Sequence, residues 1–426
     1  MADSYIISGG RALDPQTGED AARDVFVADG KIVERPPAGA KLIDARGRLV
    51  VPGLIDLHVH LREPGGEENE TIETGSRAAA RGGFTTLVAM PNTKPPHDTP
   101  ETIAYVARRG AEIGRVRVLP AGAITEGRKG RELTNLAALA GAGAVAFTDD
   151  GATVQDDALM RRAMDIARDL GRPIMDHAQD NRIERQGGVM HEGDVSRQLG
   201  LPGIPAYAEE RIVRRDIELA EATGCAVHIQ HVTTAAGADL IRAARARGVR
   251  VTGELTPHHL ALCDEDIDPG NTNYKMNPPL RSRADRNALE TALLDGALSC
   301  FATDHAPHSA EKKARGFLKA PFGVVGLETA IGVTWTLLVR SGKMSPLDWL
   351  RRWTTEPARV IRLPPPSLVP GARADIALLD VESPWVVHPN EFETKSHNTP
   401  FANWTLYGRA VATWLGGRLV WDEAAR

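Results

Sequence analysis

The sequence predicts a closed (β/α)8 TIM barrel joined to a small β-sandwich built from both ends of the chain. Three observations carry that expectation. Between about 51 and 364, apolar runs alternate with helix-patterned stretches, as a parallel barrel requires. Several of those runs end in His or Asp. Over 1–50 and 365–426 the helical period gives way to short alternating strands and Gly-containing turns.

In the amino-terminal unit, strands are expected at Tyr5-Ile6-Ile7-Ser8, Asp24-Val25-Phe26-Val27, Lys31-Ile32-Val33 and Lys41-Leu42-Ile43-Asp44. Asp29-Gly30 forms a hairpin turn. The barrel strands follow. The first runs from Val51 to His58-Val59-His60, the second over Phe84–Met90, the third over Val116–Ile124 and the fourth over Ala144–Phe147. The fifth covers Pro173–Met175, the sixth Ala226–Gln230, the seventh Val249–Leu255 and the eighth Leu298–Ala302. Helices are expected at Asp157–Leu170 and Ala208–Thr223. Pro364-Pro365-Pro366 marks the return to strands at Ala374–Asp380, Ala410–Leu415 and Arg418–Trp421.

Composition narrows the function. At 25% charged and 42% hydrophobic residues the chain is ordinarily globular, and a net charge of −5 without a basic stripe excludes a nucleic-acid partner. No apolar run reaches the length of a membrane span, and no signal peptide is evident. Three scattered cysteines, Cys225, Cys263 and Cys300, form no disulfide framework and fit a reducing cytoplasm. Neither a G-x-G-x-x-G nor a Walker sequence is present.

The catalytic face of such a barrel lies at the carboxyl ends of its strands. Strand one places His58 and His60 there, two apart and so on one face. Strand four supplies Asp150, strand five His177, strand six His231 and strand eight Asp304. Taken singly, His177 or His231 reads as a hydrogen-bonded core histidine, and Asp149 or Asp150 as a helix cap. Together they read as ligands of two nearby ions. His58, His60 and Asp304 would hold one, His177 and His231 the other, and Asp150 would bridge. Imidazole with carboxylate suits Zn²⁺, one or two per subunit, and also Co²⁺ or Mn²⁺.

Longer motifs carry a family resemblance. The chain resembles dihydroorotases of the amidohydrolase superfamily, in the longer class of that enzyme. The motifs are Pro52–Gly65, Met90-Pro91-Asn92-Thr93, Phe147–Gly151, Met175-Asp176-His177, His228–Val232, Lys275–Arg281, Thr303–His308 and Asn398–Phe401. The resemblance implies a metal-dependent hydrolase that reversibly cyclises N-carbamoyl-L-aspartate to L-dihydroorotate in pyrimidine synthesis. It implies that the ligands are the six residues above and that Asp304 is also the general acid/base. Arg62, Asn92 and His308 would hold the substrate carboxylate, with His60 beside them. Asn277 would bond the ring, and the backbone at Phe322-Gly323 would close on it. The charged stretch Glu311–Lys319 is either a lid or a solvated loop. A homodimer is expected, and association with aspartate transcarbamoylase is left open.

One departure matters. Many relatives bridge the metals with a carboxylated lysine on strand four, whereas here Asp149-Asp150 stands at that strand end. A bacterial branch of the family is similar in using Asp, and its spacing favours Asp150, with Asp149 facing away or supporting the loop. Being shorter, the aspartate requires the strand-four loop to approach the metals. Two alternatives stay beside the main reading. Hydantoinases, dihydropyrimidinases and allantoinases favour the bridging lysine and need no cationic grip on a substrate carboxylate. A non-catalytic partner of aspartate transcarbamoylase would lack the ligands.

Overall fold

The computed structural model describes residues 4–36, 38–184 and 187–425. Seven barrel positions carry parallel strands: Leu54–Val59, Phe84–Ala89, Arg117–Pro120, Ile174–Asp176, Val227–Ile229, Val251–Leu255 and Cys300–Phe301. Every residue of the first two is buried, as expected of strands covered on both faces.

The fourth position differs from expectation. Instead of a strand over 144–147, Phe147 alone bridges Gly122 and Ile174. The neighbouring strands set Pro120 and Pro173 beside it. Both accept, from Val145 N–H at 3.1 Å and Phe147 N–H at 3.1 Å, but neither has an N–H to return, so the ladder stops. The ring closes where Val59 bridges His305 and His60 N–H donates to the His305 carbonyl at 2.9 Å.

Helices at Asp157–Asp169 and Tyr207–Thr223 match the sequence pattern closely. Asp156 accepts from Leu159 N–H at 2.9 Å, a cap that contributes about 1 kcal/mol. The buried residues Leu159, Met160, Ala163, Met164 and Ala167 follow helical spacing.

The chain ends form two sheets. One has four strands in the order Lys31–Val33, Val25–Ala28, Tyr5–Ser8, Lys41–Asp44. The other has six, in the order Arg418–Asp422, Thr405–Leu415, Ile376–Val386, Leu49–Pro52, Arg11–Asp14, Glu19–Ala22. Alternation gives the six-stranded sheet two apolar faces. Val50, Ile376, Leu378 and Trp414 pack on the small sheet, whereas Leu49, Val51, Ala377 and Leu379 join the barrel core. The turn at Asp29-Gly30 has φ of 49° and 75°, as a two-residue hairpin turn of this hand requires.

Three details depart from the sequence reading. Val51 and Pro52 pair with Ala377 and Ile376 in the terminal sheet, and the first barrel strand starts only at Leu54. Gly53 allows this crossing, since a Cβ there would lie 2.2 Å from the Thr85 methyl. Strands Arg11–Asp14 and Glu19–Ala22 were not anticipated. The carboxy-terminal hairpin is longer than its apolar cores, because a register shift between Asp380 and Pro384 interrupts the pattern.

Candidate active site

The structure brings His58, His60, Asp150, His177, His231 and Asp304 together at the carboxyl face of the barrel, all buried. His58 Nε2 lies 3.3 Å from Asp150 Oδ1 and 3.5 Å from Asp304 Oδ1. His60 Nε2 lies 3.4 Å from Asp150 Oδ2 and 3.0 Å from Asp304 Oδ1. Donor atoms about 3.3 Å apart are what a tetrahedral ion with bonds of about 2.0–2.1 Å requires. On the other side of Asp150, His177 Nδ1 is 3.7 Å and His231 Nε2 4.0 Å from Oδ1, and those two nitrogens are 2.9 Å apart. Asp150 therefore stands between two groups of donors.

Outer partners set the imidazole tautomers. His58 Nδ1 lies 2.7 Å from Glu254 Oε1 and His60 Nδ1 2.9 Å from Asn92 Oδ1, which leaves each Nε2 lone pair aimed inward. His177 is turned the other way, with Nε2 3.3 Å from the Asn277 side-chain amide and Nδ1 inward. His58 Nε2 is buried and has no hydrogen-bond partner among the described residues. Burial works against a charge on His58, yet the carboxylates of Asp150, Asp304 and Glu254 outweigh it and raise its pKa well above the ordinary value. Burial likewise opposes ionisation of Asp150, but His58 and His60 hold its pKa well below the ordinary range. Burial lowers the pKa of His60 and that of His231. An ionised carboxylate among imidazole nitrogens that converge on one region is a donor set that suits a divalent cation in place of the protons.

Beside this cluster sits Arg62. Its Nε donates to the Pro307 carbonyl at 3.3 Å, and Nη2 lies 3.3 Å from His308 Nε2. Burial lowers its pKa to about 10, opposed by Asp304, Asp150 and Glu70, so it stays charged at neutral pH. Burial first, then Arg62 and Lys313, pull the His308 pKa to about 2, so that ring is neutral. His308 Nε2 donates to the Phe322 carbonyl at 2.8 Å. Gly323 has φ of 146°, and a Cβ there would meet the Ala306 carbonyl oxygen at 2.5 Å. Arg62, His231 and Asp304 all adopt positive φ, at 61°, 31° and 47°. Backbone strain of about 1–3 kcal/mol per residue is tolerated where it aims a side chain.

Other residues brace this face, and of these Glu254 and Arg128 escape sequence reasoning. Glu254 joins His58 to His228 Nε2, 2.9 Å away, and to the His231 N–H at 3.1 Å. Although burial works against its charge, His58 and His228 hold its pKa down to about 2. Asn398 accepts from His308 N–H at 3.0 Å and donates to the carbonyls of Ala306 and Gly323 at 3.1 and 3.0 Å. Arg128 donates to the carbonyls of Asp150 and, at 3.3 Å, Asp149, drawing in the strand-four loop. Asp149 faces away, accepting from Ile124 N–H at 2.8 Å, Thr125 N–H at 3.1 Å and the Thr125 hydroxyl.

A barrel with this face and flanking sheets is the architecture of the cyclic amidohydrolases. It superposes on L-hydantoinase (dihydropyrimidinase) from Arthrobacter aurescens with a TM-score of 0.87, at 25% identity, covering 99% of this chain and 96% of that one. The fold also matches dihydropyrimidinase from Brevibacillus agri, with a TM-score of 0.83 at 22% identity, over 98% and 95% of the two chains. A family profile described as Dihydro-orotase-like matches residues 47–236. The dihydroorotase of Pelotomaculum thermopropionicum is 51% identical over 98% of both chains, and that of Bacillus caldolyticus 51% identical over 92% of both. The chain belongs to the dihydroorotase family, and it is a cyclic amidohydrolase.

Proposed function

We propose that the protein catalyses the reversible cyclisation of N-carbamoyl-L-aspartate to L-dihydroorotate in pyrimidine biosynthesis. The observation that carries this reading is Arg62, a half-buried cation beside the donor cluster that suits an acidic substrate. In this reading His58, His60 and Asp304 would hold one ion and His177 and His231 a second, with Asp150 as the carboxylate shared between them. Zn²⁺ is the expected metal, one or two per subunit. When bound, the metal polarises the ring amide carbonyl and acidifies water.

The chain's own residues do the rest. Arg62 grips the carboxylate outside the ring, in a charge-assisted bond that orients the substrate. Asn92 has its Oδ1 engaged by His60 Nδ1–H, so its amide N–H groups are left for the same carboxylate. His308, with Nε2–H committed to the Phe322 carbonyl, forms the pocket wall beside Arg62. Asn277 bonds the ring, and the Phe322-Gly323 backbone packs over it. In ring opening, Asp304 takes the proton of the attacking water and passes it to the departing amide nitrogen; ring closure reverses the transfer.

A catalytic unit and a second unit built from both chain ends belong to this reading, with the boundary expected at 50/51 moved to Gly53, since Val51 and Pro52 pair in the terminal sheet. So do a cytoplasmic setting and a homodimer, which rest on the family resemblance. Metal analysis of purified protein tests the site: one to two divalent ions per chain are expected. A metal-free protein that turns over dihydroorotate would overturn it.

A further inference from the structure

Lys313 ends the short helix Ala310–Lys313 in the charged segment beside the pocket, yet its side chain is only 5% exposed. Its ammonium donates to three carbonyls from two other segments: Lys275 at 3.2 Å, Pro321 at 3.2 Å and Gly323 at 3.1 Å. Its own carbonyl accepts from the Thr272 hydroxyl at 2.6 Å. Burying a lysine is costly unless its N–H groups are matched, and three acceptors match all three. The three carbonyl oxygens converge on the Lys313 nitrogen, although that of Gly323 also accepts from the Asn398 amide and that of Lys275 from Gly323 N–H.

The tied segments bear on the substrate pocket. Lys275 lies two residues before Asn277, and its carbonyl also accepts from Gly323 N–H at 3.0 Å. Pro321 and Gly323 flank Phe322, whose carbonyl holds His308. A cavity of about 370 Å³ lined by Lys313, His308, Ala314 and Asn398 lies alongside, with room for a bulkier cation.

We propose that Lys313 is a positioning residue for substrate binding, a buried latch that fixes the 310–319 segment against the loops carrying Asn277 and Phe322-Gly323. The proposal rests on the dihydroorotase reading. Lys313 touches neither the donor cluster nor Arg62, so its loss acts on binding and leaves metal and proton transfer intact.

The test is steady-state kinetics on dihydroorotate with metal content measured in parallel, for wild type, Lys313→Met and Lys313→Arg. The Met variant is expected to raise KM at least about 10-fold, with kcat within about threefold and metal unchanged. The Arg variant, which keeps the cation, is expected to recover most of that loss. An unchanged KM in Lys313→Met, or a fall confined to kcat or metal content, would overturn the latch. If Lys313→Met does not fold, Lys313→Gln serves in its place under the same criteria. Absence of wild-type turnover would instead sink the dihydroorotase reading itself.

Discussion

His58 and His60 lie on one strand end, and what separates them from an ordinary polar pair is the company they meet. Asp304 reaches them across the barrel seam and Asp150 across its centre. Asp304→Asn keeps the shape but removes the base. Turnover is expected to fall by about 10² to 10⁴, and near wild-type kcat would contradict the assignment. Arg62→Met should act on binding. Losing one partner of a buried charge pair costs about 2–5 kcal/mol, so KM for dihydroorotate is expected to rise about 30-fold or more. Equal affinity in the two proteins would refute the carboxylate grip. Glu254→Gln weakens the acceptor behind His58, and retention of metal through dialysis is expected to drop about 10- to 100-fold. The six donors were legible because each ends an apolar run at the same kind of position. Glu254 was not, because a glutamate inside a strand gives no hint of which histidine lies across the barrel. Asn398 stood out only within the Asn398–Phe401 motif, with no sign of its partners 75 to 92 residues away, and nothing in the charged stretch Glu311–Lys319 marks Lys313 as buried.

Among the elements, strands buried on both faces were plain in the sequence, and helices with one apolar stripe matched almost to the residue. The fourth strand position was not, because the prolines that stop its ladder belong to neighbouring strands. Past Phe147 the backbone is still paired, Thr148 N–H donating to the Gly122 carbonyl at 2.9 Å, and beyond that point Arg128 holds the loop toward the donors through the Asp149 and Asp150 carbonyls. Asp150 lies in that loop with its carboxylate among the histidine donors. Arg128→Met should therefore loosen the second metal position. Metal titration is expected to show one site weakened about 10-fold with the other retained. Two unchanged sites would remove Arg128 from the account.

The whole molecule is layered. The six-stranded terminal sheet lies between the barrel and the four-stranded sheet, and successive residues of Leu49–Pro52 face opposite ways. Its two-sided burial explains why the amino-terminal boundary is shifted by a few residues: Leu49–Ile55 carries no polar residue and every residue of it is buried, so only Gly53 marks the change of sheet. Trp414 is fully buried between the two terminal sheets and meets Tyr5 edge-on at 5.9 Å. Trp414→Ala should cost about 3–5 kcal/mol. A lower thermal midpoint with unchanged metal content and KM is expected; a change in KM below the transition would tie the terminal sheets to the site.

The central claim is that this barrel face selects a cyclic amide carrying a carboxylate. The direct measurement compares kcat/KM for dihydroorotate, dihydrouracil, hydantoin and allantoin on one metal-loaded preparation. Dihydroorotate is expected to exceed the other three by at least about 100-fold, the worth of a charge-assisted hydrogen bond to Arg62 at about 2–3 kcal/mol. A higher kcat/KM for dihydrouracil, hydantoin or allantoin would contradict the account.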